Sequence, residues 1–368
     1  MSPTRAALPP LHVSKSGRHR GRGAGTNAAG RYEHVTRVDF DDGWDRAEDD
    51  PPRLATTVTP ETAKTVISRN DSPDISFDRA VNPYRGCEHG CVYCYARPNH
   101  AYAGLSPGLD FETRLFAKTN AAAALEAELR KPGYQPSVLM LSGVTDCYQP
   151  IERTQRLTRA LLETLLAFRH PTANITKSAL VLRDRDILQE MARQKLVKVA
   201  LSITTLDPAL ARRMEPRAAS PHRRLEAVAG LAAAGIPVSV MMAPIVPGLT
   251  DHEIEDVLQA AKAHGAQAAG YILLRLPLEV RDLVHDWLDE AAPERAARIK
   301  RLIRDTRSGA DYQSAFGLRQ RGSGPYAAQI AARFRAGLKR YGLTRPSLAL
   351  DTHHFRPPPM PGEQLSFL

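Results

Sequence analysis

Three cysteines fall within eight residues, Cys87-x3-Cys91-x2-Cys94, inside residues 82–98 (NPYRGCEHGCVYCYARP). Soft thiolates select zinc or iron–sulfur over hard cations. Gly86 and Gly90 let so short a loop wrap one metal centre. Three ligands leave one metal position open. A structural zinc would fill it with His89 or His100. Zinc ribbons, however, bring two ligand pairs from separate turns, and this chain has no second pair. The only other cysteine is Cys147. With no apolar signal segment at the N-terminus, this pattern favours metal ligation in a reducing compartment over two disulfides.

Alternating elements must position such a loop. Apolar runs at 75–81, 137–143, 174–178, 197–204, 237–243 and 269–275 read as strands. Helical patterns lie at 119–129 and 152–168, around 184–194, from a Ser220 cap with Pro221 to Gly235, and after an Asp251 cap. Continuously apolar strands separated by helices imply a parallel sheet with right-handed crossovers. Periodicity alone does not separate an open doubly wound sheet from a full or partial barrel. Either fold places ligands at the C-terminal ends of the strands. Polar residues crowd there: Cys87 after the first strand, Thr145 and Asp146 after the second, Lys177 and Ser178 at the third, Ser202 at the fourth.

The C-x3-C-x-aromatic-C loop after a first strand resembles the radical S-adenosylmethionine (radical SAM) family, with Cys87, Cys91, Tyr93 and Cys94 matching without a gap. The resemblance implies a partial (β/α)6 TIM-type barrel, set here at residues 70–290. It implies that the three cysteines hold a [4Fe-4S] cluster and that SAM chelates the fourth iron. One electron would then cleave SAM to methionine and a 5′-deoxyadenosyl radical that takes hydrogen from substrate. A finer resemblance, to the spore photoproduct lyase-like branch, rests on Val92-Tyr93-Cys94-Tyr95, Thr145-Asp146, Thr176-Lys177-Ser178, Ser202 and Ala243-Pro244. It implies that Lys177 and Ser202 hold the SAM carboxylate and that Thr145 and Ser178 meet other polar groups of SAM. Tyr93 and Tyr95 match the lyase tyrosines and, with Cys147, are candidate hydrogen-relay groups. Ordinary strand-end polarity explains the polar residues singly, and Cys147 also suits a small buried hydrophobe. The chain reads Ser142-Gly143-Val144-Thr145-Asp146 where many of the family carry Gly-Gly-Glu. Gly143 stands where the lyases keep a hydrogen-donating cysteine, so thymine-dimer repair is not implied. Glu215-Pro216-Arg217 and Arg224 form either a pair that closes over SAM or substrate, or a surface ion pair.

The 368 residues suffice for a sizeable core, and 43% hydrophobic with 24% charged residues excludes collagen, coiled coil and full disorder. No apolar run approaches the ~18 residues of a membrane span. Between Glu294 and Arg345 thirteen bases face three acids, a surplus equal to the whole net charge of +10. Such a stretch suits a phosphate backbone, or a plain solvated helical face. A helix at 327–341 carries an Ile330, Phe334, Leu338 stripe. Residues 1–60 read as a disordered tail, basic and then acidic from Asp39 to Asp50. Residues 291–345 read as a basic helical extension, and 346–368 as a Pro-rich tail. The tail ends QLSFL, from Gln364 to Leu368, which resembles the peptide by which DNA-processing proteins bind the sliding clamp. The expected protein is a cytoplasmic radical SAM enzyme with lyase-like chemistry on DNA or RNA, bound through 295–345 and served by an unidentified electron donor. The alternatives are the same chemistry on a protein, tRNA or small molecule, or a non-enzymatic, metal-stabilised nucleic-acid-binding protein.

Overall fold

A computed structural model describes residues 21–33, 54–344 and 349–359. The six apolar runs become the six parallel strands of one sheet: β3 (Arg79–Val81), β6 (Leu139–Leu141), β7 (Thr172–Thr176), β8 (Val197–Ser202), β9 (Val238–Ile245) and β10 (Ala268–Leu273). Their spatial order is their chain order, as successive right-handed βα units dictate. A short antiparallel strand, β2 (Ile67–Arg69), adds to β3. β2 and β10 are the two edges and do not pair with each other, so the sheet is a partial barrel. Leu139, Leu141, Val199, Leu201, Val240 and Met242 are buried beneath the covering helices, each apolar side chain contributing about 1.5–3 kcal/mol.

Two local expectations change and one holds. The helix expected over 152–168 is two, Glu152–Gln155 and Leu157–Ala167, because Arg156 is left-handed (φ 53°). The buried Glu152 carboxylate takes the Thr158 amide at 3.1 Å and so starts the second segment. Asp251 does not cap a helix. It lies in a 3-10 turn, Asp251–Glu253, before helix Ile254–Ala263, and accepts the Tyr326 hydroxyl. Ser220 does cap helix Pro221–Ala233, accepting the Arg223 amide at 3.4 Å.

The tail expected to be disordered is partly built. Residues 57–61 form β1 (Thr57–Glu61), which pairs in parallel with β5 (Arg114–Lys118); β4 (Tyr84–Arg85) pairs with β5 on its other side. Residues 21–33 pack on the cysteine loop, where polar residues of the 106–112 segment take their backbone groups: Glu112 the Gly23 and Ala24 amides, Ser106 the Ala28 carbonyl. The acidic stretch from Asp39 and the peptide from Gln364 to Leu368 lie outside the described residues.

Beyond the barrel come helices Val280–Ala291, Pro293–Asp305 and Gly324–Tyr341. Part of the positive charge between residues 294 and 345 is engaged within the protein. Lys300, Arg304, Arg319 and Arg333 pair with Asp289, Asp311, Asp74 and Glu255. Arg307 is buried, donating to the Leu318 and Leu274 carbonyls. The continuous basic stripe suggested by the sequence is therefore interrupted. No helix among the described residues is long and apolar enough to cross a membrane.

Candidate functional site

The cysteine loop leaves β4 at Gly86 (φ 78°) and turns again at Gly90 (φ 66°). A Cβ at Gly86 would meet the Phe111 carbonyl at 2.9 Å, and one at Gly90 the Glu112 carboxylate at 2.6 Å, so the loop passes where only glycine fits. Arg97, fully buried, staples it. Its guanidinium donates to the carbonyls of Cys91 (2.9 Å), Gly90 (3.2 Å), Pro107 (3.0 Å) and Gly108 (2.9 Å), and to Glu112 (2.5 Å). Glu112, also wholly buried, receives the Gly23 and Ala24 amides as well. A rigid planar fork of five donors suits this task, and lysine could not replace it.

Cys87 and Cys94 pack with Phe111 and Ala96, while Cys91 and Cys94 also meet Val92 and Tyr93. Burial pushes all three thiols up, Asp146 adding to it at Cys87 and Glu215 at Cys91. Among the described residues no three His, Cys, Asp or Glu side chains stand in a metal-holding arrangement. The fit of an iron–sulfur cluster therefore rests on donor chemistry: three soft ligands on one glycine-hinged loop. The two histidines differ: His89 has an acidic partner, and His100 has ring contacts with its Nε2 buried and unbonded among the described residues. His89 faces Asp146 at 3.3 Å. His100 packs on Phe111 and Phe116, and burial pulls it down to about 4.

Two buried carboxylates organise the strand ends around this loop. Asp146, after β6, accepts the Thr176 hydroxyl (2.7 Å) and the Lys177 (2.8 Å) and Tyr148 (2.9 Å) amides. Burial alone would push it up; His89 and these donors outweigh burial and hold it below the usual carboxylate range. Glu215, which follows helix Pro208–Met214, accepts from Tyr93, Arg224 and Thr204 and faces the Lys177 ammonium at 3.3 Å. Burial opposes its charge, but Arg224 and Lys177 hold it well below the usual range. The Glu215–Arg224 pair is therefore wholly internal, correcting the surface reading.

The expected site residues divide on this frame. Lys177 reaches the mouth, donating to the Ala243 carbonyl at 3.1 Å with its ammonium 5.6 Å from the Tyr93 ring centre. Ser202 ends β8, and its carbonyl takes Arg224 at 3.0 Å. Tyr93 is buried with its hydroxyl committed to Glu215. Tyr95 is half exposed, its hydroxyl on the Gly143 carbonyl at 2.6 Å and the Arg275 guanidinium 5.2 Å above its ring. Three others have internal tasks. Thr145 donates to the Tyr84 carbonyl at 2.8 Å. Ser178 caps the turn Ala179–Asp184. Cys147 has no exposed surface, lies in the main core, and points its thiol at Asn174 (3.7 Å). A hydrogen-relay role for Cys147 thus has no support from its placement. Arg97, Glu112, Thr204 and Arg275 were not singled out in the sequence; only Arg97, three residues past the last cysteine, sat inside the motif segment. A cavity of about 720 Å³ between Arg22, Arg212, Glu215 and Ser220 touches neither the cysteines nor the strand ends.

Comparisons with known proteins agree with this arrangement. An uncharacterized protein of Mycobacterium tuberculosis is 38% identical over 232 residues, covering 62% of this chain and 68% of that one. One from Methanocaldococcus jannaschii is 30% identical over 191 residues, 52% of this chain and 68% of the relative. Spore photoproduct lyase complexed with dinucleoside spore photoproduct superposes with a TM-score of 0.55 at 15% identity, covering 81% of this chain and 85% of that one. A tyrosine-to-phenylalanine mutant of the lyase gives 0.55 at 16%, over 83% and 88%. At such identity the likeness is one of fold. The family model of the Radical SAM superfamily matches residues 81–261, from the end of β3 through the cysteine loop and the strand ends just described. With that loop in place at the mouth of a partial barrel, the chain belongs to the radical SAM superfamily.

Proposed function

We propose that this enzyme carries out reductive cleavage of SAM at a [4Fe-4S] cluster and acts on nucleic acid. The observation that carries the first part is the position of Cys87, Cys91 and Cys94. They sit on one stapled loop at the C-terminal mouth of six parallel strands, the face where such folds do chemistry. The cluster, when bound, supplies the electron that converts SAM to methionine and a 5′-deoxyadenosyl radical.

The chain's own residues set the conditions. Arg97 and Glu112 hold the loop that carries the thiols. Lys177 keeps a positive charge at the mouth, between the Glu215 carboxylate and the Tyr93 ring, and offers an N–H to the SAM carboxylate with Ser202 nearby. Asp146 orders the β6 and β7 ends through Thr176 and the Lys177 amide. Tyr95, next to Cys94, is the half-exposed aromatic beside the thiols and the candidate for meeting substrate. The nucleic-acid reading is supported by the fold likeness to a lyase complexed with a dinucleoside photoproduct. Gly143 in place of a lyase cysteine argues against thymine-dimer repair as the reaction.

Anaerobic reconstitution with iron and sulfide, reduction, and assay of 5′-deoxyadenosine tests the first part. Wild type should form the nucleoside, and Cys91→Ala should form none and lose the brown chromophore. One tightly bound zinc per chain with no nucleoside would overturn it.

A further inference from the structure

Seven large hydrophobic side chains are exposed among the described residues: Tyr32, Tyr95, Tyr102, Val144, Leu278, Phe316 and Leu318. Tyr32 and Tyr102 stack on each other, ring centres 5.3 Å apart. The other five lie on segments linked by the contacts that follow. Tyr95 reaches Gly143, next to Val144. Arg275, two residues beyond β10 and three before Leu278, lies over the Tyr95 ring. The loop bearing Phe316 and Leu318 returns along β10, where the Gln320 carbonyl takes the Leu273 amide at 2.9 Å. It also crosses to the loop between β2 and β3, where Asp74 takes the Gly317 amide at 2.6 Å and the Arg319 guanidinium. Arg319 in turn lies 4.5 Å from the Phe316 ring centre. The open side of the partial barrel thus carries a rim of two aromatic rings, each backed by a guanidinium.

The two cations are not equivalent. Arg319 is held by Asp74 and Ser72. Arg275 lies over the Tyr95 ring with its Nε buried, and Asp74, bound to Arg319, also faces the Arg275 charge. Exposed aromatic rings, each beside a guanidinium, match bases and phosphates.

We propose that this rim binds single-stranded nucleic acid: Tyr95 and Phe316 each stack a base, Arg275 takes the intervening phosphate, and Arg319 positions Phe316. This deepens the nucleic-acid reading above and rests on it. Single strands fit better than duplex because a paired base exposes no face for stacking, and chemistry on a base requires it out of the helix. Tyr95 adjoins Cys94, so a base stacked there lies beside the cysteine loop.

The test is fluorescence anisotropy of a labelled single-stranded oligodeoxynucleotide of about 12 nucleotides, within known single-strand site sizes, and of its duplex. Both are titrated with the reconstituted full chain between about 50 and 200 mM salt. Wild type should prefer the single strand. Phe316→Ala should weaken binding by about 10-fold, as loss of one stacked base does. Arg275→Gln should weaken it and lower the salt slope by about one phosphate. Arg335→Gln, an exposed cation on helix Gly324–Tyr341, should leave affinity within about 2-fold, since one peripheral charge contributes little. Unchanged affinity in the Phe316 and Arg275 variants, or a larger loss in Arg335→Gln, would overturn the rim. If SAM is cleaved but no oligonucleotide binds, the nucleic-acid partner falls and the radical reading stands. If binding depends on Phe316 but SAM is not cleaved, the rim stands and the radical reading falls.

Discussion

The two sides of the barrel mouth are built in opposite ways. On the cysteine side, charged groups are buried and nearly every donor has a named acceptor: Arg97 with Glu112 and four carbonyls, Glu215 with Arg224, Tyr93, Thr204 and Lys177. On the open side, Tyr95 and Phe316 are 45% and 55% exposed, each beside a guanidinium. Buried polar networks that are fully satisfied rigidify, while exposed rings on loops adapt to what they meet. The cysteine loop is thus held in place by its own contacts, whereas the exposed rings are not.

The largest effect should come from breaking the fixed side. Arg97→Ala leaves the buried Glu112 without its guanidinium partner, and strips the Cys91, Gly90, Pro107 and Gly108 carbonyls of a shared donor. Breaking a buried pair costs about 3–5 kcal/mol, and unsatisfied carbonyls add to it. Urea unfolding of the variant should show that loss, and reconstitution should recover little iron. A loss under about 1 kcal/mol, the scale of an exposed pair, would mean that the loop does not depend on its staple.

Next is Glu215→Gln, which keeps the shape and most hydrogen bonds but leaves Arg224 without its counter-charge, at about 3 kcal/mol. Its pH dependence is more telling. The folded Glu215 carboxyl is held below its unfolded value of about 4.3. It therefore contributes stability above that value and loses it as pH falls through the folded value. Wild type should lose melting temperature progressively below about pH 4, and the variant should lose less. Some acid dependence must remain, because Asp146 is also held low. Parallel pH profiles for the two proteins would show that Glu215 is not charged by its partners in the folded state.

Legibility in the sequence followed the same divide between local and distant causes. All six barrel strands were visible because strands buried on both faces read as apolar runs. Their ends were not: 75–81 shrinks to Arg79–Val81 because Asn70 closes a turn on Asp78. The small β1–β5–β4 sheet left no signal, since its strands are short and joined across distant segments. The cysteine motif was legible because its three cysteines are neighbours in the chain. Glu215 was seen, but the sequence left open whether its pair with Arg224 is a surface one, because its burial depends on Tyr93 and Lys177, which are remote in sequence. The docking of residues 21–33 was invisible, because a Gly- and Ala-rich segment carries no period and its acceptor, Glu112, lies across the molecule. Cys147 carried two readings, a relay group beside Thr145-Asp146 and a small buried hydrophobe, and its place in the core fits the second.

The smallest effect should come from the open side. Phe316→Ala removes a ring that is more than half exposed and touches chiefly the Arg319 guanidinium. An exposed cation–π contact contributes on the order of 0.5–1 kcal/mol, and Arg319 keeps its bonds to Asp74 and Ser72 without it. Stability should therefore fall by no more than about 1 kcal/mol, with an unchanged urea m-value, while single-strand affinity drops about 10-fold. That separation is what distinguishes a surface kept for a ligand from one kept for the fold. A stability loss like that of Arg97→Ala would make Phe316 a structural anchor of the loop that spans the open side, and the two sides of the mouth would then be built alike.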